Sequence, residues 1–139
     1  MIVEADLFIS YLTGNSLEPQ FRRVVEAGQD GKVRLFASSE VYDDVISALR
    51  SQHVPLGKVR EFVRDMKTIP HQTVPVTSDT AVLALQLYLK HGGGSRLHYF
   101  DSFHVATSQL EKLTLLTSDG YILDHADKLS IKTRNARRI

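Results

Sequence analysis

Hydrophobic and polar residues alternate along the chain with two different periods. Compact apolar runs at residues 1–5, 32–37 and 113–117 are typical of short buried strands. Between them, longer segments repeat hydrophobic residues every three or four positions, which is the spacing of a helix with one face on a core. These helices are predicted over residues 7–12, 17–29, 39–52, after Pro55, after Ser78 and over 100–112. Weaker strand candidates lie at residues 72–76 and 129–132.

The alternation of strands and helices predicts an α/β fold with a largely parallel sheet of four to five strands. A chain of 139 residues without an evident linker or repeat suits one domain over residues 1–139. Pro75 removes a backbone donor, so its strand is expected at the edge of the sheet. Ser39 and Ser78 are the predicted caps of two helices.

Composition excludes several classes of protein. The chain has no cysteine, which excludes disulfides and thiolate metal sites. A targeting segment is not evident in the first residues, and no apolar run approaches the roughly 20 residues that span a bilayer. A cytoplasmic protein is therefore expected.

Basic residues are concentrated near the C-terminus, although the formal net charge is only +1. From about residue 128 the chain carries five cations and no acid: Lys128, Lys132, Arg134, Arg137 and Arg138. This basic tail is a candidate for contact with a phosphate backbone. The alternative is a solvated, partly frayed terminus.

Two acids are predicted to meet at one edge of the sheet. In an open α/β sheet, ligands bind beyond the carboxyl ends of the strands. Asp6 follows the first predicted strand, and Asp119 lies two residues beyond the strand that ends at Thr117. Asp6 also stands between two apolar stretches, where burial of an unpaired acid would be costly.

Two helical acids are candidates to join them. Successive helical residues turn by about 100°, which places Asp44 at the border of an apolar arc, with Asp43 nearly opposite and Glu40 further round. On the helix over 100–112, Asp101 shares one face with His104. Each acid alone has an ordinary explanation as a cap, a turn residue or a solvated side chain. Their joint pattern predicts a pocket of carboxylates.

Three families of phosphate-handling proteins do not fit this pattern of acids. A P-loop enzyme is excluded because the chain has no Gly-x-x-x-x-Gly-Lys motif. A haloacid-dehalogenase-like phosphatase needs a second aspartate two residues after the first, where Phe8 stands. A receiver domain needs an acidic pair near the end of the first strand, which Glu4-Ala5-Asp6 fits poorly.

Four segments contain these acids: Ile-Val-Glu-Ala-Asp at 2–6, Ser-Ser-Glu-Val-Tyr-Asp-Asp at 38–44, Tyr-Phe-Asp-Ser-Phe-His-Val-Ala-Thr at 99–107 and Leu-Leu-Thr-Ser-Asp at 115–119. The set resembles the PIN-domain nucleases, in particular the toxin subunits of bacterial and archaeal VapBC toxin–antitoxin pairs. Together the four segments span essentially the whole chain.

The resemblance implies a metal-dependent endoribonuclease whose catalytic, metal-binding acids are Asp6, Asp44, Asp101 and Asp119. Glu40 and Asp43 are the alternatives for the second acid. Carboxylates in one pocket repel one another, and an all-oxygen site favours Mg²⁺ or Mn²⁺ over zinc. Arg96, Ser118 and Thr117 are candidate substrate contacts.

The same resemblance implies RNA as substrate, an antitoxin as partner and a homodimer. Apolar segments around Leu12, Phe62 and Val63 are candidates for a dimer or antitoxin surface, with core packing as the default interpretation. Two alternatives stay open. One is a PIN-like module that binds RNA or protein without cutting, and the other is a housekeeping RNA-processing nuclease.

Overall fold

Five short strands form one sheet in the computed structural model, which describes all residues from 1 to 139. The strands are β1 (Ile2–Val3), β2 (Phe36–Ser38), β3 (Gln72–Val74), β4 (Leu115–Thr117) and β5 (Thr133–Asn135). Their order in the sheet is β3-β2-β1-β4-β5, and every neighbouring pair is parallel. The predicted α/β fold with a parallel sheet is therefore confirmed, and β3 lies at an edge as Pro75 indicated.

Seven helices cover the two faces of the sheet. They are α1 (Ala5–Thr13), α2 (Glu18–Gln29), α3 (Val41–Ser51), α4 (Leu56–Asp65), α5 (Ser78–His91), α6 (Tyr99–Glu111) and α7 (Gly120–Asp124). Short 3₁₀ turns follow α4 at Met66–Thr68 and β5 at Ala136–Arg138. No helix combines the length and the apolar character that crossing a bilayer requires.

The core consists of two hydrophobic clusters, one on each face of the sheet. Side chains alternate across the strands: Val3 and Leu116 join the cluster under α1 to α4, whereas Ile2 and Leu115 join the cluster under α5 to α7. Because both faces are covered, β1 and the first two residues of β4 are apolar and buried. Leu12, Phe62 and Val63 are partly buried against the first cluster.

The strands are shorter than their apolar runs, and the last one is displaced. β1 ends at Val3 because Glu4 already precedes α1, so its neighbours pair with it over only one or two residues. The last strand was predicted at 129–132 and lies at Thr133–Asn135 instead. Leu129 is fully buried in the core, and the backbone turns at Ser130 with a φ of 55° before β5 begins.

Two predicted details of the helices are wrong. Ser39 does not cap α3, because its hydroxyl accepts a hydrogen bond from the backbone N–H of Val76. The cap of α5 is Thr77, which forms a reciprocal capping box with Thr80, and Ser78 is the first helical residue.

The sheet order creates a crevice in its centre. From β1 the chain moves to β2 and β3 on one side, and later to β4 and β5 on the other. The helices that follow β1 and β4 therefore diverge, and the carboxyl ends of these two strands are left open between them. Crevices of this kind are where parallel α/β sheets bind ligands.

Candidate active site

A cleft of about 800 Å³ opens at the carboxyl ends of β1 and β4. Five acids line it: Glu4, Asp6, Asp44, Asp101 and Asp119. Each lies at or within the first turn of a helix, on α1, α3, α6 or α7. Because helix N-termini carry partial positive charge, their convergence partly offsets the repulsion between the carboxylates. All four acids singled out in the sequence thus line one cleft.

The fifth acid, Glu4, was missed by the sequence analysis. Its side chain is only 6% exposed, and its Oε1 has no hydrogen-bond partner. Burial raises the pKa of this carboxyl well above its usual range, and the neighbouring charge of Asp101 raises it further. One signal was available, since Glu4 is the single charged residue of the apolar run at 1–5.

Asp6 lies at the mouth of the cleft. It is exposed to solvent, so the acid buried between the two apolar stretches is Glu4 and not Asp6. Its Oδ2 accepts a hydrogen bond of 2.9 Å from the hydroxyl of Ser118, which follows β4. This bond joins the ends of the two central strands across the crevice.

Asp101 occupies the middle of the acidic cluster. It belongs to two groups of three side chains whose potential ligand atoms all lie within 4.8 Å of one another: with Asp44 and His104, and with His98 and Asp119. Burial raises the pKa of Asp101 to about 6. The nearby imidazoles of His104 and His98 lower this pKa, whereas the acids Asp44 and Asp119 raise it.

Asp44 is held by a buried histidine. His104 has no exposed surface, and its Nε2–H donates to Oδ2 of Asp44 at 2.9 Å. The second ring nitrogen, Nδ1, has no partner. Of the three acids considered for this position, Asp44 lines the cleft, while Glu40 and Asp43 do not.

His98 bridges the cleft and the loop before α6. Its Nε2 donates to the carbonyl oxygen of Gly94 at 3.0 Å, and its Nδ1 donates to Oδ2 of Asp101 at 3.2 Å. Both partners are acceptors, which favours the doubly protonated ring. The bond to Gly94 is the main reason why the pKa of His98 is raised, and the charge of Asp101 acts in the same direction.

Of the three candidate substrate contacts, only Ser118 lines the cleft. Ser118 lines the cleft, whereas Thr117 is buried beneath it and accepts a hydrogen bond of 3.1 Å from the backbone N–H of Asp119. Arg96 lies outside the cleft lining, where its guanidinium donates to the carbonyl of Lys90 at 3.1 Å. The basic tail contributes Arg137 to the lining.

The residues of the cleft fit a divalent cation. No Lys or Arg forms an ion pair with any of the five acids, and only His98 and His104 contact them as potential cations. The orphaned, buried Oε1 of Glu4 points to a missing partner. A donor set dominated by carboxylate oxygens suits a hard cation such as Mg²⁺ or Mn²⁺.

Solved structures with the same fold include toxin–antitoxin proteins. The structure titled FitAB bound to the IR36 DNA fragment is similar with a TM-score of 0.63 and 16% identity, covering 98% of this chain and 95% of that chain. FitAcB from Neisseria gonorrhoeae gives a TM-score of 0.60 at 16% identity over 99% of each chain. A toxin–antitoxin complex from Klebsiella pneumoniae gives 0.57 at 16% identity, over 87% of this chain and 88% of that chain. At this identity the likeness is one of fold.

Comparison at the level of sequence gives the family. No curated protein matches this chain significantly. The profile of the PIN domain, however, matches residues 1–129, which include all five acids of the cleft. Because this match covers most of the sequence and agrees with the fold, the chain belongs to the PIN domain family.

Proposed function

We propose that this protein is a cytoplasmic endoribonuclease that uses Mg²⁺ or Mn²⁺ to hydrolyse RNA phosphodiester bonds. PIN domains are generally metal-dependent nucleases. The observation that carries the proposal is the buried Glu4, whose Oε1 has no partner although Asp6, Asp101 and Asp119 are close enough to affect its pKa. Such a cluster is costly unless a cation joins it.

The catalytic roles follow from how each acid is held. Glu4 and Asp101 are the inner ligands, Asp6 and Asp119 complete the set, and Asp44 supports it from α3. A bound divalent cation would stabilise the charge that develops on the phosphate and acidify the attacking water. The raised pKa values of Glu4 and Asp101 mean that these acids lose protons when the cation binds.

Hydrogen bonds orient the carboxylates before substrate arrives. The Ser118 hydroxyl holds Asp6, and the backbone N–H of Ile122 donates to Oδ1 of Asp119 at 2.9 Å. His104 holds Asp44 in the same way. Partners of this kind fix the ligand geometry, and losing one typically weakens metal binding or activity by about 10- to 100-fold.

The proposal is tested by cleavage of a panel of labelled RNAs in Mg²⁺ or Mn²⁺, with EDTA and the Asp101→Asn variant as matched controls. Cutting that requires metal and disappears in the variant is expected. Asp44→Asn and Asp43→Asn form a second pair on the same helix, and only the former is expected to reduce the rate. Failure to cut any RNA, together with no calorimetric heat of Mn²⁺ binding, would leave a PIN-like binding module.

We further propose that the protein is a toxin with a cognate antitoxin. Support comes from the likeness to the Klebsiella toxin–antitoxin complex and to FitAB. Induced expression in a bacterial host is expected to arrest growth, and the Asp101→Asn variant is expected to be harmless. If both forms are harmless while purified protein cuts RNA, a housekeeping nuclease is the better description.

We propose that two copies of the chain form a homodimer whose interface is the outer face of α5. Four large apolar side chains are exposed there: Val82, Leu85, Tyr88 and Leu89. Tyr99, the first residue of α6, packs edge-on against Tyr88 with ring centroids 5.7 Å apart and is itself half exposed. A contiguous apolar face of this kind is typical of a protein interface.

A further inference from the structure

We propose that Arg137 binds a backbone phosphate of the nucleic-acid strand in the acidic cleft and is therefore a substrate-binding residue. The inference rests on the proposed nuclease function and deepens it. It assigns to one residue of the basic C-terminal segment a role that its neighbours do not share.

The backbone around Arg137 is fixed on both sides. Asn135 ends β5 at the same sheet edge as the acids, and its side-chain oxygen accepts from the backbone N–H of Arg137 at 2.9 Å. Ala136 is fully buried, and Ile139 packs against the core while its backbone oxygen accepts from Arg23 at 2.6 Å. This anchored turn places Arg137 in the cleft lining with little freedom at the backbone.

Arg137 is the only Lys or Arg among the sixteen residues that line the cleft. Its guanidinium forms no ion pair with the five acids, and none of the side-chain hydrogen bonds of the molecule uses it. The other cationic group of the lining, His98, is already bonded to Gly94 and Asp101. Arg137 thus has all its side-chain donors free, in the planar fork that matches a phosphate.

The remaining cations of the segment face elsewhere. Lys132 lines a separate depression with Lys112, and Arg134 lines another with Arg23 and Lys32. The five basic residues therefore form no continuous track for a phosphate backbone, and only Arg137 is placed beside the acids. Arg138, in the same 3₁₀ turn and outside the cleft lining, is a control of equal charge.

The test measures binding without cleavage, in an Asp101→Asn background with Mg²⁺ present. Fluorescence anisotropy gives the Kd of a labelled single-stranded RNA and of the DNA with the same sequence, over a series of salt concentrations. Arg137→Ala is expected to raise Kd about fivefold to tenfold on both strands and to reduce the slope of log K against log salt by about 0.7. Arg138→Ala is expected to leave Kd and slope near those of the background protein, and Arg137→Lys to recover part of the loss.

Three results would overturn the inference. Equal effects of Arg137→Ala and Arg138→Ala would reduce it to a general contribution of charge. A loss confined to RNA would point to a ribose contact and not to a phosphate contact. If the background protein binds neither strand, the inference fails, and RNA cleavage by the wild-type protein, measured in parallel, distinguishes this case from failure of the proposed nuclease function. Melting temperatures of the Arg137 and Arg138 variants are expected to agree with that of the background protein, because both side chains are exposed and neither forms an ion pair.

Discussion

Burial of carboxylates in the cleft lowers the stability of the folded protein when no metal is bound. Asp101 is mostly buried, and its pKa of about 6 means that its charged form is disfavoured in the folded protein. The carboxylate is retained at a cost to folding, which is typical of residues selected for function. Glu4 is disfavoured for the same reason and in the same direction.

Replacing Asp101 by Asn is therefore expected to stabilise the metal-free protein. At pH 7.5 in EDTA, the free energy of unfolding should rise by about 1 to 3 kcal/mol, since one unit of pKa corresponds to about 1.4 kcal/mol. Urea denaturation of both proteins checks this, with Asp79→Asn on the exposed start of α5 as control. A destabilised Asp101→Asn protein would mean that the hydrogen bond from His98 outweighs the repulsion.

The pair of His104 and Asp44 is expected to behave as a coupled unit. Removing His104 leaves a cavity and breaks the 2.9 Å bond, so His104→Ala should cost about 2 to 4 kcal/mol. In a double-mutant cycle with Asp44→Ala, a coupling of about 1 kcal/mol is expected from equilibrium unfolding. The same cycle with Asp43→Ala should show strict additivity, and equal coupling in the two cycles would contradict the assigned bond.

At the residue scale, the sequence located four of the five acids but misjudged their burial. Asp6 was expected to be the acid that is difficult to bury, yet it is exposed and Glu4 occupies the buried position. Periodicity could not distinguish them, because where the strand ends depends on backbone pairing and not on side-chain pattern. A strand that stops at Val3 turns Glu4 inward and places Asp6 in the first turn of α1.

At the scale of elements, the connection from α5 to α6 is the most exacting part of the backbone near the site. The N–H of Gly92 donates to the carbonyl of Tyr88 and closes α5. A Cβ at Gly92 would collide with that carbonyl oxygen and with the Tyr88 ring. From here the chain continues to Gly94, whose carbonyl accepts from His98, so the loop helps to hold the cleft side of α6.

The substitution Gly92→Ala is expected to destabilise the protein by about 1 to 3 kcal/mol, because neither the helix end nor the ring can move away without loss of packing. Gly94→Ala, two residues later, meets no atom within 4 Å and should change stability by less than about 0.5 kcal/mol. Thermal unfolding followed by circular dichroism compares the two. Similar melting temperatures would show that Tyr88 yields readily.

The five strands and six of the seven helices could be predicted from periodicity, but the short helix α7 and the orientation of α5 could not. Val82, Leu85 and Leu89 recur at helical spacing, which predicts that they form the buried face of this helix, yet they are among the most exposed apolar residues of the chain. The buried face contains Ala84 and Leu87 instead. This helix is hydrophobic over much of its circumference, so its rotation is decided by the close packing against α6, which no local pattern encodes.

At the scale of the whole molecule, stability is expected to fall as the pH rises. The carboxyl of Asp101 titrates near pH 6 when folded and near 3.8 in its ordinary state, so the folded protein binds more protons between these values. The free energy of unfolding should therefore decrease from about pH 4 to pH 6, and Glu4 and His98, whose pKa values are also raised, act in the same direction.

Thermal melting in EDTA across pH 4 to 8 measures this dependence, and Mn²⁺ is expected to reverse it. The cation requires deprotonated ligands, so it should raise Tm strongly at pH 8 and little at pH 5. The Asp101→Asn protein, which lacks a central ligand, is expected to gain much less at either pH. An equal gain in Tm at both values would place the cation outside the acidic cluster.

The proposed dimer also belongs to this scale. Leu89 is 87% exposed on the apolar face of α5, and Leu56 on α4 is 63% exposed. Leu89→Glu is expected to convert a dimer to a monomer in sedimentation velocity, because a buried unpaired charge opposes association. Leu56→Glu should remain dimeric, and a monomeric wild-type protein would refute the interface.

The position of β1 in the sheet has a consequence for the time at which activity appears. Ile2 in β1 pairs with Leu115 in β4, so β1 leaves the ribosome long before its neighbouring strand β4 has been synthesised. Contacts this distant in sequence form late in folding. Until the segment with Ser118 and Asp119 has been synthesised and folded, Glu4 and Asp6 lack the residues that line the other side of the cleft. For the nuclease proposed above, this order means that the acidic cleft stays incomplete until Asp119 has been synthesised.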